Sequence, residues 1–143
     1  LNDTAPLGET LPKLKAGRQG LRLLLLPCET IEQRDRFLAS LKEPIDGHWT
    51  HGLNVDSAHE RVPSGTELAA AWDHRIATQR GSRQLVTHVV AAPANVLAGL
   101  LGDWLPAEFP LVLQPGYATA VHFTSSQPLP ILQVLNLGMP DRP

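Results

Sequence analysis

The sequence predicts a layered domain of the α/β or α+β class rather than a helical bundle, and three stretches carry that expectation. Leu21 to Leu26 is, apart from Arg22, a continuous apolar run of strand length, as in a strand buried on both faces. Gln84 to Trp104 passes from a mostly β-branched apolar run (Leu85, Val86, Val89, Val90) to Ala94, Val96, Leu97, Leu100 and Leu101 at helical spacing. Tyr117 to Phe123 and Ile131 to Leu137 read as two strands joined by the loop Thr124 to Pro130, a C-terminal antiparallel pair.

The 143 residues suffice for one domain with a core, and an apolar share of 43% argues against wholesale disorder. A net charge of −2 with no basic block gives no footprint for nucleic acid. No run reaches the roughly 18 apolar residues of a membrane span, so no membrane partner is expected. Cys28 is the only cysteine, which excludes a disulfide within the chain and suits a reducing, cytoplasmic setting. The chain opens on Leu1 rather than Met, as a fragment or processed form does.

The elements follow in order. Residues 1–20 are polar, are broken by Pro6, Gly8, Pro12, Gly17 and Gly20, and read as an irregular lead-in rather than a signal peptide. Pro27 ends the first strand, and Glu29 to Leu41 is helical, with Thr30 as N-cap and Ile31, Phe37, Leu38 and Leu41 as its apolar stripe. Residues 44–62 lack periodicity and read as a long loop, carrying His48, His51 and His59. Pro63-Ser64-Gly65-Thr66 opens a helix, with Thr66 as N-cap and Leu68, Ala69, Trp72 and Ile76 on one face, that runs to about Gln79. Leu111-Val112-Leu113 reads as a short strand before the Pro115-Gly116 turn.

The residues that could carry chemistry are few. His88 falls near the expected end of its strand, and ligands of open α/β sheets bind beyond the carboxyl ends of the strands. There an imidazole beside the next helix's first amides could meet an anion such as phosphate; a core histidine is the commoner case. His48, His51 and His59 with Asp46 or Asp56 could bind zinc, but no HExxH or cysteine partner fixes a geometry, and neither a metal nor a cofactor is expected. Cys28 after its strand has no neighbour that would lower its pKa. Trp49, Trp72 and Trp104 read as core or interface anchors, with Trp49 the one placed to line a pocket. His48-Trp49-Thr50 and His122-Phe123-Thr124 are both H-x-T, which resembles the paired motifs of the two-histidine phosphoesterases, where one histidine acts as base and the other as acid.

From Leu41 to Leu137 the order of motifs resembles the phosphoglycerate mutase-like histidine phosphatases. Leu41-Lys42-Glu43 through Gly47-His48-Trp49 is similar to that family's L-x-E-x-x-x-G-x-W segment; Pro63-Ser64-Gly65-Thr66-Glu67 to its P-x-G-E-S; Leu85-Val86-Thr87-His88 with the helix to Gly102 to its V-x-S-H-G and A-L-L-x-x-L-L-G; Gly116 to Phe123 to its G-S-V-T-V-L-x-F strand. The resemblance implies a single domain over 1–143, a three-layer α/β sandwich with a mixed, mostly parallel sheet, flanking helices and the C-terminal strand pair. It implies a phosphorylated small molecule as ligand, His88 on the phosphoryl oxygens and Glu43 as general acid, with Trp49 and His48 lining the site. The family's R-H-G nucleophile motif is absent: the string LRLLLLPCET carries Pro27 and Cys28 where the arginine and histidine should stand. In a second alignment Leu11 to Ala16 falls on S-P-L-x-R-A, Lys15 replaces a phosphate-binding arginine, and the family's first strand is missing. Val89 and Thr66 replace a glycine and a glutamate.

Without the nucleophile the covalent step is lost, so the expected function is phosphate-monoester recognition with weak or lost phosphatase activity. A non-catalytic interaction or assembly subunit on the same scaffold stands as the alternative, and an open apolar sheet edge would favour a homodimer.

Overall fold

A computed structural model describes residues 19–41, 44–53, 63–105 and 112–137. Its elements in chain order are β1 (Leu21–Pro27), α1 (Ile31–Ser40), β2 (Gly47–Thr50), α2 (Gly65–Gln79), β3 (Val86–Ala92), α3 (Ala94–Trp104), β4 (Ala118–Phe123) and β5 (Ile131–Leu137). They build one five-stranded sheet in the order β2-β3-β1-β4-β5. β1 and β2 each pair parallel to β3, β4 runs antiparallel to β1, and β5 runs antiparallel to β4. Only β4 therefore opposes the common direction, and the sheet is mixed and mostly parallel, as the sequence leads one to expect.

The three layers follow from connection handedness. The link through α1 carries the chain outward past β3 to β2, and the link through α2 brings it back one place to β3. Two right-handed crossovers in opposite directions must lie on opposite faces. The core divides accordingly. Leu21, Leu23, Leu25, Val90, Val121 and Phe123 pack under Leu68, Trp72 and Ile76 of α2 and Val96, Leu97, Leu100 and Leu101 of α3. On the other face Leu24, Leu26, Cys28, Val89, Ala91, Ala118 and Ala120 pack with Phe37 of α1 and with Leu53. Every residue of β1 is buried, which explains why its sequence shows no alternation.

Local chemistry sets the helix starts. Thr30 Oγ1 accepts from the Gln33 amide at 3.2 Å, and Gln33 Oε1 accepts from the Thr30 amide at 3.4 Å, a capping box. The N-cap of α2 is Ser64, not Thr66. Ser64 Oγ accepts from the Glu67 amide at 3.1 Å and Glu67 Oε1 from the Ser64 amide at 3.3 Å. The S-x-x-E spacing wins because it satisfies two first-turn donors at once.

Three further expectations are corrected. The region read as a loop from 44 to 62 contains β2, held on β3 by Asp46, whose amide donates to the Thr87 carbonyl at 2.7 Å and whose Oδ2 accepts from the Thr87 amide at 2.8 Å. Residues 112 and 113 are not a strand: Leu113 is buried, and the Val112 carbonyl accepts from Asn136 Nδ2 at 2.8 Å. β3 runs two residues beyond Val90, because Leu26↔Ala91 and Pro27↔Ala92 continue the parallel register until Pro93 stops it. The lead-in 1–18 and residues 106–111 lie outside the described residues. β1 fills the centre of the sheet, so the alignment without a first strand finds no gap among the described strands. No described helix is long and apolar enough to cross a membrane.

α2 crosses α3 at two glycines. A Cβ on Gly65 would lie 2.6 Å from the Gly99 Cα, far inside van der Waals contact, with backbone on the receiving side. Gly65→Ala should therefore lower stability by about 1–3 kcal/mol despite alanine's better helix propensity. A urea titration of both proteins reads the difference, and an unchanged midpoint would place the two helices further apart than described.

Candidate functional site

The topology makes one crevice. β1 and β3 are parallel neighbours, and the helices that follow them, α1 and α3, lie on opposite faces of the sheet. Where this happens the loops beyond the strand ends diverge and leave a cleft. Its floor is tied together by backbone: the Cys28 amide donates to the Ala92 carbonyl at 3.0 Å, the His51 amide to Ala91 at 2.8 Å, and the Gly116 amide to Pro27 at 2.8 Å. Cys28, His51 and Pro93 thus stand at the exits of β1, β2 and β3.

The side chains there favour an anion but offer no nucleophile. Pro93 gives α3 no side-chain cap; its carbonyl takes the Val96 and Leu97 amides, each at 3.1 Å, which leaves the Ala94 and Asn95 amides uncapped at the β3 exit. Arg34, on α1, donates from Nη1 to Thr50 Oγ1 at 2.9 Å and shares Asp35 Oδ1 at 2.6 Å. His51 is half-buried, its Nε2 has no partner among the described residues, and burial pushes its pKa down, leaving it neutral near pH 7. Cys28 is buried, and desolvation pushes its thiol up to about 12, against the opposing pull of Arg34. A thiol so protonated is neither a nucleophile nor a metal ligand at neutral pH.

His88 does not stand in this crevice. It is the third residue of β3, opposite Leu23 and Gly47, so four residues of strand, roughly 13 Å, separate it from the exit. The expectation that it ends the strand fails because Ala91 and Ala92 extend β3 rather than begin the turn. The residue is 5% exposed, and its ring points toward α2. Nε2 lies 3.2 Å from Gln79 Oε1, and Nδ1, which faces the glycine backbone of Gly47, makes no hydrogen bond among the described residues. The indoles of Trp49 and Trp72 close round it at 6.3 and 6.0 Å between centroids, and they meet each other edge to face at 5.9 Å. The Arg75 guanidinium lies 4.1 Å over the Trp49 ring and 5.4 Å from that of Trp72. Burial pushes the His88 pKa down, and Arg75 adds to that; Asp46 and the nearby Gly47 backbone pull the other way.

The remaining candidates are scattered. Trp49 shares a cluster with His88, but His48 precedes it on the same strand and so points to the opposite face, where it is exposed. The two H-x-T histidines lie on β2 and β4, three inter-strand spacings or about 14 Å apart. His122 is buried, with Nε2 at 2.6 Å from the Gln19 carbonyl, and cannot share one phosphate with His48. Among the described residues no three His, Cys, Asp or Glu side chains gather as metal ligands. Lys15, Glu43, Asp56 and His59 lie outside the described residues. The sequence offers Arg75 as an available cation that no motif places, and gives no sign of Arg34, Thr50 or Gln79 as site residues. Gln79 was legible in part, since Trp72, Ile76 and Gln79 follow the 3.6 period that brings that face onto the sheet.

Burial lowers the pKa of His88, His122 and His51 below the ordinary 6.5. The unfolded chain then binds more protons than the folded one wherever pH drops below that value. Stability is full above about pH 6.5 and declines as pH falls from there through the folded-state values. Denaturant midpoints at about pH 7.5 and pH 5.5 should show the loss, and His122→Asn should reduce it; equal midpoints would mean these rings are solvated. No protein-family model matches the chain, and no curated protein matches it.

Proposed function

We propose that this chain is a degenerate histidine phosphatase-like domain that recognises phosphate monoesters and hydrolyses them weakly or not at all. The observation that carries the reading is the exit of β1. Phosphoryl transfer through a covalent intermediate needs a nucleophile in line with the phosphorus. That exit holds Pro27, which has no nucleophile, and Cys28, whose buried thiol stays protonated. The crevice keeps the other half of the requirement. Arg34, the His51 imidazole and the uncapped amides of α3 offer donors to an anion, and a bound phosphate would find cationic and dipolar partners without an attacking group. His88, buried under α2, takes no part in this reading. Glu43 as proton donor and Lys15 as a further cation stay in it on the resemblance alone. The lone buried cysteine suits a reducing compartment, and we place the domain in the cytoplasm.

A second reading, assembly, has its own observation. Val112, Leu129, Ile131 and Leu135 are exposed along β5 and the segments beside it, at 69%, 54%, 36% and 42%. β5 ends the sheet among the described strands, and an apolar edge of this kind favours a homodimer.

Hydrolysis of p-nitrophenyl phosphate and thermal unfolding with inorganic phosphate or vanadate separate these readings. The proposal expects turnover near the uncatalysed rate, a phosphate-dependent rise in Tm, and loss of that rise in Arg34→Ala. Robust turnover abolished by His88→Ala would overturn it. Absence of both turnover and protection, with a dimer in sedimentation, would leave the assembly reading.

A further inference from the structure

The buried imidazole of His88 has no role in the crevice, yet among the described residues the β2 edge, α2 and the sheet converge on it. A neutral imidazole fits its surroundings. One ring N–H donates to Gln79 Oε1 at 3.2 Å, and the other nitrogen, as a lone pair, lies against the Gly47 backbone. An imidazolium does not fit. It carries two N–H donors, and Nδ1 finds no acceptor in hydrogen-bonding geometry among the described residues.

Charge is divided: Asp46 attracts a proton on the ring, Arg75 repels it, and burial outweighs both. The charged groups facing the ring are Asp46, from the lead-in to β2, and Arg75, from α2. Asp46 is committed to the Thr87 amide at 2.8 Å. Arg75 is held against the two indoles that themselves touch the imidazole. β1 presents Leu23 beside it, which offers no charge. A proton on His88 thus brings a second donor into a buried site that holds little water, and the pull of Asp46 offsets only part of that cost.

The part that yields is identified by the packing. β1 and β3 share seven registered pairs with every β1 residue buried. β2 has four residues, pairs only with β3 among the described strands, and leaves Trp49 36% exposed. We propose that His88 is a proton-operated latch: neutral, it closes β2 and the C-terminal half of α2 over β3; protonated, it releases Trp49 and its stacked Arg75 from the sheet while the β1-centred core stays folded. The released surface joins an indole to a guanidinium, an aromatic and cationic patch that the neutral protein keeps partly covered.

Tryptophan fluorescence tests this. Trp104 packs on Phe123, in a contact separate from the latch, at 5.0 Å, so Trp104→Phe leaves Trp49 and Trp72 as reporters. Between about pH 7.5 and pH 5 the emission should move reversibly to longer wavelength, with far-UV circular dichroism unchanged. His88→Gln in the same background should abolish the shift, and His122→Asn should retain it. A shift that persists in His88→Gln, or that coincides with loss of far-UV signal, overturns the proposal. Should His88→Gln fail to fold, imidazole NMR of the unsubstituted chain decides alone. Titration of the His88 ring together with the Trp49 indole N–H in the folded state supports the latch, and a ring that stays neutral until the chain unfolds contradicts it.

Discussion

The pairing of β1 with β3 is the constraint on which the other features depend. Seven consecutive pairs run in parallel register from Leu21↔Val86 to Pro27↔Ala92. A strand enclosed on both faces must alternate its side chains into two separate cores, and the two leucine sets of β1 do that. Parallel pairing in turn demands crossovers, the crossovers place helices on both faces, and the strand exits then fall side by side between α1 and α3. The crevice is a consequence of this register. So is the distance between the crevice and His88.

Binding and catalysis separate cleanly on such a scaffold. On the proposed reading, the donors to an anion come from helix ends and a partly buried arginine, which do not depend on the residues at the strand exits. Covalent transfer needs a strong nucleophile at the phosphorus, and a proline beside a protonated thiol supplies none. A chain can therefore keep the recognition half of a phosphatase site while losing the chemical half. The His88 cluster lies on the α2 face of the sheet, and its polar partners, Gln79 and Asp46, are spent on holding β2 and α2 in place.

Most of the architecture was legible because it is written as hydrophobic periodicity. The apolar run of β1, the helical stripes of α2 and α3 and the two C-terminal strands each carry their own signal over six or more residues. β2 carries none. Gly47-His48-Trp49-Thr50 is too short to show a period, and it becomes a strand through the Asp46–Thr87 exchange with a distant segment. The end of β3 was misplaced for a related reason: Ala91 and Ala92 suit a strand or a helix equally, and only the pairing with Leu26 and Pro27 decides. That shift of two residues moved His88 from the strand exit to its interior. Arg34 and Thr50 meet only after α1 and β2 are docked, and no local pattern announces them.

The account stands or falls on where an anion binds. Amide and imidazole NMR during titration with inorganic phosphate tests this most directly. It predicts perturbations at Cys28, His51, Ala94 and Asn95, with the His88 ring unmoved and no phosphohistidine signal in the ³¹P spectrum after incubation with a phosphate monoester. Perturbations centred on His88 with the crevice amides silent, or a covalent phosphorus signal, would contradict it.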